Sequence, residues 1–396
     1  VKACRFTSTS GTALRLDLHC QRIRVTHSLF DDVGSMGILL CGYGPGTKDA
    51  NHDNEIINNL LHHCGQEIWH GHAIFAWQSG GNRIAHNRIH HSARKAIGLC
   101  GVRVPILQNR EHTFDEAAQT IRWHEIDRVI AEEGDDFDCF MPFQHTRNNV
   151  VEDNEVSRVL EKLGDGSAIN VSGAGEGNVI RRNFIHHIRT YKASSVLRVD
   201  DWQRGTVFRD NIVYMANVGA ITRKNLNHIE NNLFIDVSTK ACVRFASYPD
   251  EAPAFGSRIQ HNIFYESGDS AVFYTTAYLV SPGACRPKDC AADYNVFFCA
   301  GNPDVSREQL DSLREQGIEK RSVVADPLFT DIARGDFSLR DESPALSLGF
   351  EPIDMTNIGL QDDFPSHLLA LDFLEPEDEG DYARGLDENK VVYEWW

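Results

Sequence analysis

Short runs of alternating apolar and polar residues recur along the chain at a nearly constant spacing. The recurring unit is Asn-x-Ile-x-x-Asn-x-Ile, in which x is any residue. Its second asparagine falls at Asn59, Asn87, Asn154, Asn183, Asn211, Asn232 and Asn262, with degenerate ends at Ser28 and Asn295. Each unit is too short to bury its own apolar face, so neighbouring units must share one core. The pattern therefore predicts an all-β solenoid of stacked strands over residues 1–300.

The asparagines and several histidine pairs repeat in step with the strands. Asparagine suits a turn because it tolerates left-handed backbone and bonds to neighbouring backbone groups, so we expect a structural asparagine ladder. The pairs that begin at His62, His90 and His186 each follow a ladder strand and should stack coil on coil. A zinc site needs tetrahedral convergence, whereas stacked residues lie in a line. We therefore predict a structural histidine stack, with no metal and no cofactor.

One spacing breaks the repeat and predicts an insertion at residues 103–145. The ladder steps 67 residues from Asn87 to Asn154, which is one 28-residue coil plus about 39 extra residues. That segment has the pattern of an amphipathic helix and carries His124 and Glu125. Inserted loops often carry function, so these two residues are candidate substrate contacts. The alternative is a helix packed on the barrel. Beyond the coils we predict a C-terminal cap at 301–360 and an acidic tail at 361–396.

Two adjacent coils share a frame but differ in their carboxylates. A shift of 28 residues superimposes residues 165–183 on residues 193–211. Asp165 then pairs with an alanine, while Asp200 and Asp201 pair with a serine and a glycine. We interpret this difference as a site built on a repeating scaffold.

The outward positions of these strands combine aromatic and polar residues. Aligning the coils places His70 in the same lateral position as Asp165. Strand alternation predicts one exposed strip on a single sheet face, comprising Phe75, Trp77, Asn170, Arg198 and Asp200. Aromatic rings stack on the apolar faces of sugars, and polar groups fix the hydroxyls, so the strip predicts a sugar-binding groove. The alternative is an ordinary polar sheet face.

Paired carboxylates on adjacent coils would supply the acid and the base or nucleophile of glycoside cleavage. Neighbouring strands are about 4.8 Å apart, so Asp165 and Asp201 can approach the roughly 5–10 Å separation that such pairs use. Mutual repulsion would raise one pKa and keep that carboxyl protonated. Asp200 competes for the second role, although alternation points it outward beside Arg198, where it could form an ion pair.

Composition restricts the expected binding partners but says little about the reaction. The 39 basic and 57 acidic residues give a net charge of −18, which disfavours nucleic acid. The sequence has no apolar run of 18 residues, so no membrane span is expected. Of the ten cysteines, Cys285 and Cys290, near Cys299, are disulfide candidates, with reduced thiols as the equal alternative.

The repeat resembles the right-handed parallel β-helix of pectate-lyase type, and particular motifs resemble one enzyme family. Residues 164–169, 177–186, 199–201 and 325–329 are similar to the β-helix enzymes of glycoside hydrolase family 141. The resemblance implies a polysaccharide hydrolase of α-L-fucosidase or xylanase type that acts on complex plant cell-wall glycans. Its paired aspartates fall on Asp165 and on Asp200 or Asp201. We expect a secreted or periplasmic location rather than a cytoplasmic one.

Two other function classes remain open, as does the start of the chain. A polysaccharide lyase or uronate epimerase would use Arg198 to neutralise a uronate and His70 or another base to take the C5 proton. A non-catalytic β-helix would only bind glycans.

The first coil begins almost at Val1, and exposed strand edges aggregate. We therefore expect a further N-terminal segment or a partner chain to cover this end.

Overall fold

The computed structural model describes the chain as a right-handed parallel β-helix with three long sheets, which confirms the predicted all-β solenoid. The residues described are 1–44, 46–102, 123–134, 137–190, 195–201, 203–223, 226–237, 241–246, 256–277 and 286–372. The three parallel sheets are here called A, B and C. Along the chain, successive strands belong to sheets B, C and A in turn, and each strand pairs in parallel with its counterpart one coil away.

The strands of each sheet follow the axis of the solenoid in chain order. Sheet A contains β3 (Arg24–Thr26), β6 (Glu55–Ile57), β9 (Arg83–Ala85), β12 (Val150–Glu152), β15 (Val179–Arg181), β18 (Val207–Arg209), β21 (His228–Glu230), β24 (Arg258–Gln260) and β27 (Ala291–Asp293). Sheet B contains β1 (Arg5–Thr9), β4 (Leu29–Val33), β7 (Leu60–Cys64), β10 (Arg88–Ser92), β13 (Glu155–Val159), β16 (Phe184–Ile188), β19 (Ile212–Ala216), β22 (Leu233–Ile235), β25 (Ile263–Glu266), β28 (Val296–Cys299) and β29 (Val323–Val324). Sheet C contains β2 (Leu14–Asp17), β5 (Ile38–Cys41), β8 (Ile74–Trp77), β11 (Ile97–Cys100), β14 (Ile169–Ser172), β17 (Ser195–Asp200), β20 (Gly219–Arg223), β23 (Val243–Ala246) and β26 (Tyr274–Ala277).

Few other elements accompany the coils. The α-helices described are α1 (Trp123–Glu133), α2 (Phe137–Phe140), α3 (Pro303–Glu315), α4 (Pro344–Ser347) and α5 (Ser366–Leu369). The 3₁₀ turns in the described ranges are Met141–Phe143, Pro287–Asp289 and Ile332–Arg334, and β30 (Phe329–Asp331) pairs antiparallel with β31 (Asp336–Leu339). In the described part of the chain, no helix combines the length and the apolar character needed to cross a membrane.

The interior of the solenoid is a continuous stack of aliphatic and aromatic side chains. In sheet A, Ile84, Val151, Ile180 and Phe208 occupy one register position on consecutive strands, and each is fully buried. The alternation within each strand sends these side chains inward and their neighbours outward. This shared core is why the repeat predicted the fold.

The asparagine ladder is confirmed, with one difference in backbone geometry. Asn154 Oδ1 accepts from Asn87 N at 3.0 Å and from Asn87 Nδ2 at 2.9 Å, and its own Nδ2 donates to Asn183 Oδ1 at 2.9 Å. Equivalent bonds link the ladder to Asn295. The left-handed backbone lies one residue earlier, as at His86 (φ 56°) and Asp153 (φ 55°). The ladder asparagines therefore bond across coils without adopting that conformation themselves.

The insertion packs against the outer face of sheet C. Helix α1 buries Ile126 in an apolar cluster with Phe75 and Trp77, and Phe140 of α2 joins the same cluster. The predicted helix is therefore present, in the packed form that the sequence analysis kept as the alternative. The first part of the insertion, 103–122, lies outside the described residues.

Helix α3 closes the end of the core that follows the last coil. Leu310 and Leu313 on this helix, together with Ile318, are buried in the main apolar cluster. Glu319 follows and is fully buried, where its carboxylate accepts from Tyr274 Oη at 2.5 Å and from Asn295 Nδ2 at 3.0 Å. The asparagine ladder therefore ends at Asn295 in a hydrogen bond to the Glu319 carboxylate, a buried group that requires such partners.

Residues 348–372, here called the C-terminal strap, run back along the outside of the coils. The strap bonds to the left-handed turn residues that precede the sheet B strands: Leu348 to His261, Glu351 to Asn231, Asn357 to His86, Gln361 to Asn58 and Asp363 to His27. Phe364 and Leu368 also cover Leu29 and Leu60 of sheet B. The strap thus touches turns from near the last coil to near the first.

Glu266 gives a prediction about stability and pH. It is nearly buried at the end of β25, and loss of water, reinforced by Asp236, raises its pKa from 4.5 to about 7. Because the folded pKa exceeds the unfolded one, the protonated carboxyl stabilises the fold fully below pH 4.5, and this contribution is lost as pH rises through about 7. Relative to the wild type, Glu266→Gln should gain on the order of 1–3 kcal/mol between pH 5 and pH 9.

Urea unfolding across that pH range measures this difference. Glu342→Gln, at an exposed position, is the matched control and should follow the wild type at every pH. A constant difference between Glu266→Gln and the wild type across the range would contradict the assignment.

Candidate active site

Asp165 lies in the turn between β13 and β14, where two arginines hold it. Its side chain is 69% exposed. Arg198 Nη1 lies 3.3 Å from Asp165 Oδ1, and Arg94 Nη2 lies 3.4 Å from Oδ2. Arg94 Nε also donates to the Asp165 backbone carbonyl at 2.6 Å. The carboxylate is accessible, and its direction is fixed by cations on the preceding and following coils.

The charges around Asp165 determine its protonation. Partial loss of water is the largest single influence and favours the neutral acid, but Arg198, Arg94 and Lys95 together outweigh it and lower the pKa of Asp165. Asp165 is therefore ionised at neutral pH. A carboxylate in that state can act as a base or a nucleophile, and another group must supply the proton.

Arg198 also binds Asp200 and so joins two of the predicted carboxylates. Its Nη2 lies 2.5 Å from Asp200 Oδ2, and Asp200 Oδ1 accepts from the backbone N–H of Asp201 at 2.9 Å. Since one planar guanidinium touches both side chains, the nearest oxygens of Asp165 and Asp200 are at most about 8 Å apart. This upper limit is compatible with the roughly 5–10 Å that glycosidase carboxylates use.

Asp201 is held by a different group. It has left-handed backbone at the end of β17 (φ 53°), and its Oδ2 accepts from the Ser172 hydroxyl. Ser172 pairs in register with Asp200 on the neighbouring strand. Asp200 therefore shares the Arg198 guanidinium with Asp165, whereas Asp201 has a described bond to Ser172.

The predicted polar neighbours are partly brought together. Asn170 lies directly opposite Arg198 in register, is 1% exposed, and its Oδ1 accepts from Ser167 Oγ at 3.3 Å. His70 is half-buried in the turn before β8. Sequence reasoning missed Arg94 and Lys95, which occupy the corresponding turn before β11. Placing that turn in register with the turn that contains Asp165 would have found them.

The groove prediction is wrong at Phe75 and Trp77. Their side chains point away from the solenoid interior, as alternation requires, but they are only 1% and 2% exposed. The reason is that α1 and α2 cover this part of sheet C, with Ile126 and Phe140 in the same apolar cluster. These two rings pack against the insertion and are not accessible to a sugar.

The two candidates on the insertion differ in their surroundings. Glu125 accepts from the Tyr43 hydroxyl at 2.5 Å and from the Thr47 hydroxyl, and so ties α1 to the loop that follows β5. Loss of water opposes ionisation, but these two bonds, with Lys48 and His124 nearby, lower the pKa of Glu125. His124 is 79% exposed. Glu125 thus has a positioning role for the insertion, and substrate contact by either residue stays a prediction.

The histidine stack is confirmed for two coils and interrupted in the third. The rings of His62 and His90 stack with centroids 5.0 Å apart. Ser157 occupies the next register position, so His186 lies two coils beyond His90 and stacks on Phe184 instead. Within the described ranges, no group of three or more histidine, cysteine or acidic side chains is arranged to hold a metal ion.

We expect purified protein to contain no stoichiometric zinc. Burial, followed by the nearby His90 and His63, lowers the pKa of His62 to about 4, so the pair is neutral and bonds internally through the Nδ1 atoms of His62 and His63 at 2.9 Å. Elemental analysis after dialysis with and without a chelator measures the metal. Stoichiometric zinc that leaves with the chelator would contradict a structural stack.

Near the predicted disulfide, Cys290 and Cys299 form no disulfide with another described cysteine. Cys290 and Cys299 are thiols whose Sγ atoms contact the carbonyls of Arg286 and Gly268 at 3.5 and 3.1 Å. Cys285 lies outside the described residues.

Comparison with known proteins gives distant structural matches only. No family model matches the sequence, and no curated protein matches it. A structure described as "Glycoside hydrolase" is 15% identical with a TM-score of 0.29, over 80% of this chain and 38% of that one. "The complex structure of XylC with xylose" is 11% identical with a TM-score of 0.29, over 75% of this chain and 56% of that one. The chain thus spans well under two thirds of either protein, and similarities this low carry no argument about function. Membership of glycoside hydrolase family 141 stays a prediction.

Proposed function

We propose that the protein is a glycoside hydrolase that cleaves a complex polysaccharide of plant cell-wall type. The observation that carries the proposal is the Arg198 guanidinium, which touches both Asp165 and Asp200 on the outer side of sheet C. Two carboxylates at such a separation are what hydrolysis of a glycosidic bond requires. An α-L-fucosidase or xylanase specificity follows only from the family resemblance.

The roles follow from the charges. Asp165 is the ionised partner and acts on water or on the anomeric carbon, because Arg94, Arg198 and Lys95 lower its pKa. Asp200 is the proposed second carboxylate, with Asp201 as the alternative. Because the Arg198 contact favours ionised Asp200, this carboxyl donates a proton to the leaving oxygen only after the entering sugar has displaced the guanidinium. Arg198 holds the pair in place and must yield one contact when the sugar enters. His70 is the proposed hydroxyl-binding neighbour, and contact with Asn170, which is only 1% exposed, requires its covering residues to move.

A lyase or epimerase is the second candidate, and one observation favours it. Arg94, Lys95 and Arg198 surround a single accessible carboxylate, and the same cations would neutralise a uronate. In that reaction the substrate carboxylate replaces Asp165 as the partner of these cations, and a base such as His70 removes the C5 proton.

A screen on dissected cell-wall glycans with product analysis tests the proposal. Hydrolysis releases saturated reducing sugars, whereas a lyase produces an unsaturated sugar that absorbs in the ultraviolet. Saturated products whose release depends on Asp165 support the hydrolase. Ultraviolet-absorbing products would replace it with the lyase, and glycan binding without turnover would leave only a binding protein.

A further inference from the structure

A cavity lies at the end of the solenoid that follows the last coil, away from Asp165. Its volume is about 560 Å³, and it opens between β26, the 3₁₀ turn Pro287–Asp289 and helix α3. Small-ligand sites commonly have volumes of about 300–1,000 Å³. In the described part of sheet C, β26 pairs only with β23, so the cavity lies at a sheet edge.

The charge of the cavity is opposite to that of the chain. Its lining includes Arg286 and Lys288 and contains no carboxylate, although the chain has a net charge of −18. Both cations are exposed, and among the described residues the nearest carboxylate with a known contact is that of Asp289, which accepts from the Arg286 backbone N–H at 3.1 Å. A pair of cations at a concave surface concentrates the field that attracts an anion. Arginine also presents a planar fork that matches a carboxylate.

The remaining lining matches a sugar better than a bare ion. Hydroxyl and amide groups surround the opening, from Thr275, Thr276, Gln309, Ser312 and Gln316. The ring of Tyr274 and the buried Leu313 supply apolar surface. Tyr274 is fixed because its hydroxyl bonds to Glu319 at 2.5 Å, and Gln309 is fixed by bonds to Phe273 N at 3.0 Å and to the Ala271 carbonyl at 2.8 Å. Pyranose rings need this combination of apolar surface and placed polar groups.

We propose that this cavity binds an acidic saccharide through the carboxylate of a uronic acid residue. Arg286 and Lys288 receive the carboxylate, and the hydroxyl and amide groups receive the ring hydroxyls. The site requires no catalysis at Asp165, so it stands or falls separately from the proposed hydrolase. In a cell-wall context it would hold an acidic branch or a neighbouring chain while another part of the protein acts.

Calorimetric titration of the full chain tests the site with three probes: a trigalacturonate, the neutral galactotriose and inorganic phosphate. We expect trigalacturonate to bind at least tenfold more tightly than the other two, a difference of about 1.4 kcal/mol. Affinity should fall as salt is raised, because ions screen exposed charges. Equal affinity for galactotriose, equal affinity for phosphate, or no trigalacturonate binding would each overturn the proposal.

Variants separate this cavity from the Asp165 region. The Arg286→Ala/Lys288→Ala double variant should weaken trigalacturonate binding at least tenfold with unchanged unfolding, because both side chains are exposed. Lys320→Ala removes an exposed cation outside the lining and should bind like the wild type. Arg198→Ala should also leave this binding unchanged. Full affinity in the double variant, or its loss in Arg198→Ala, would place the ligand elsewhere and refute the inference.

Discussion

Asp165→Asn is expected to fold normally and to lose on the order of 10³-fold or more in turnover of the glycan found by screening. The substitution keeps the size but removes the charge that the three cations favour, and the single amide oxygen can accept from only one of Arg94 and Arg198. General acid–base catalysis supplies about 10²–10⁴-fold, and the loss of a nucleophile costs more. Steady-state kinetics with matched unfolding curves measure the effect. Asp304→Asn, exposed on α3, is the control and should retain full activity.

The same assay decides between the two candidates for the second carboxylate. Because Asp200 is the proposed proton donor, Asp200→Asn should be nearly inactive, whereas a mild loss would mean that Asp200 only pairs with Arg198. Asp201→Asn should be milder, because its described side-chain bond is to the Ser172 hydroxyl. The reverse order would transfer the acid role to Asp201 and keep the site. Full activity in Asp165→Asn would remove the mechanism altogether.

Asn154→Ala is expected to give a large loss of stability, on the order of 3–5 kcal/mol. The fully buried side chain accepts from the backbone of Asn87 and donates to the Ile84 and Glu152 carbonyls and to Asn183. Alanine leaves several of these buried groups without partners, and each such group costs about 1–3 kcal/mol. Chemical denaturation followed by circular dichroism measures the loss.

Asn357→Ala is the matched control, because Asn357 is exposed in the strap and its side-chain amide makes only a long described contact, 3.5 Å, to Thr356. We expect a change within about 0.5 kcal/mol there. If Asn154→Ala changed the free energy of unfolding as little as this control, the asparagine ladder would be a by-product of the repeat that does not stabilise the fold.

The sequence predicted the features that depend on neighbouring coils and missed those that depend on distant segments. The period placed Asn154, Asn183 and the core positions such as Ile180 correctly, because each is determined by the coil beside it. Alternation also gave the outward direction of Trp77, but its burial comes from a helix inserted later in the chain. No local pattern reports what an insertion will cover.

The candidate site shows the same division. Asp165, Asp200 and Arg198 were grouped correctly because a 28-residue shift relates two adjacent coils. Arg94 and Lys95 were missed because the insertion separates their coil from that of Asp165 in sequence while leaving the two coils adjacent in space. The choice between Asp200 and Asp201 as the second carboxylate also depends on hydrogen bonds, such as that from Ser172 to Asp201, which residue spacing does not encode.

The C-terminal strap changes how the solenoid should come apart. In a simple repeat protein each coil contacts only its neighbours, so the ends unfold one coil at a time. The stability of the protein is then the sum of the stabilities of single coils and of the interfaces between adjacent coils. Here a single segment near the end of the described chain bonds to turns as far apart as His261 and His27. A coil near the first strands therefore cannot open without releasing a segment that also holds coils near the last ones. The strap joins the two ends of a linear array into one cooperative unit, and during synthesis that unit is completed only after all the coils have been made.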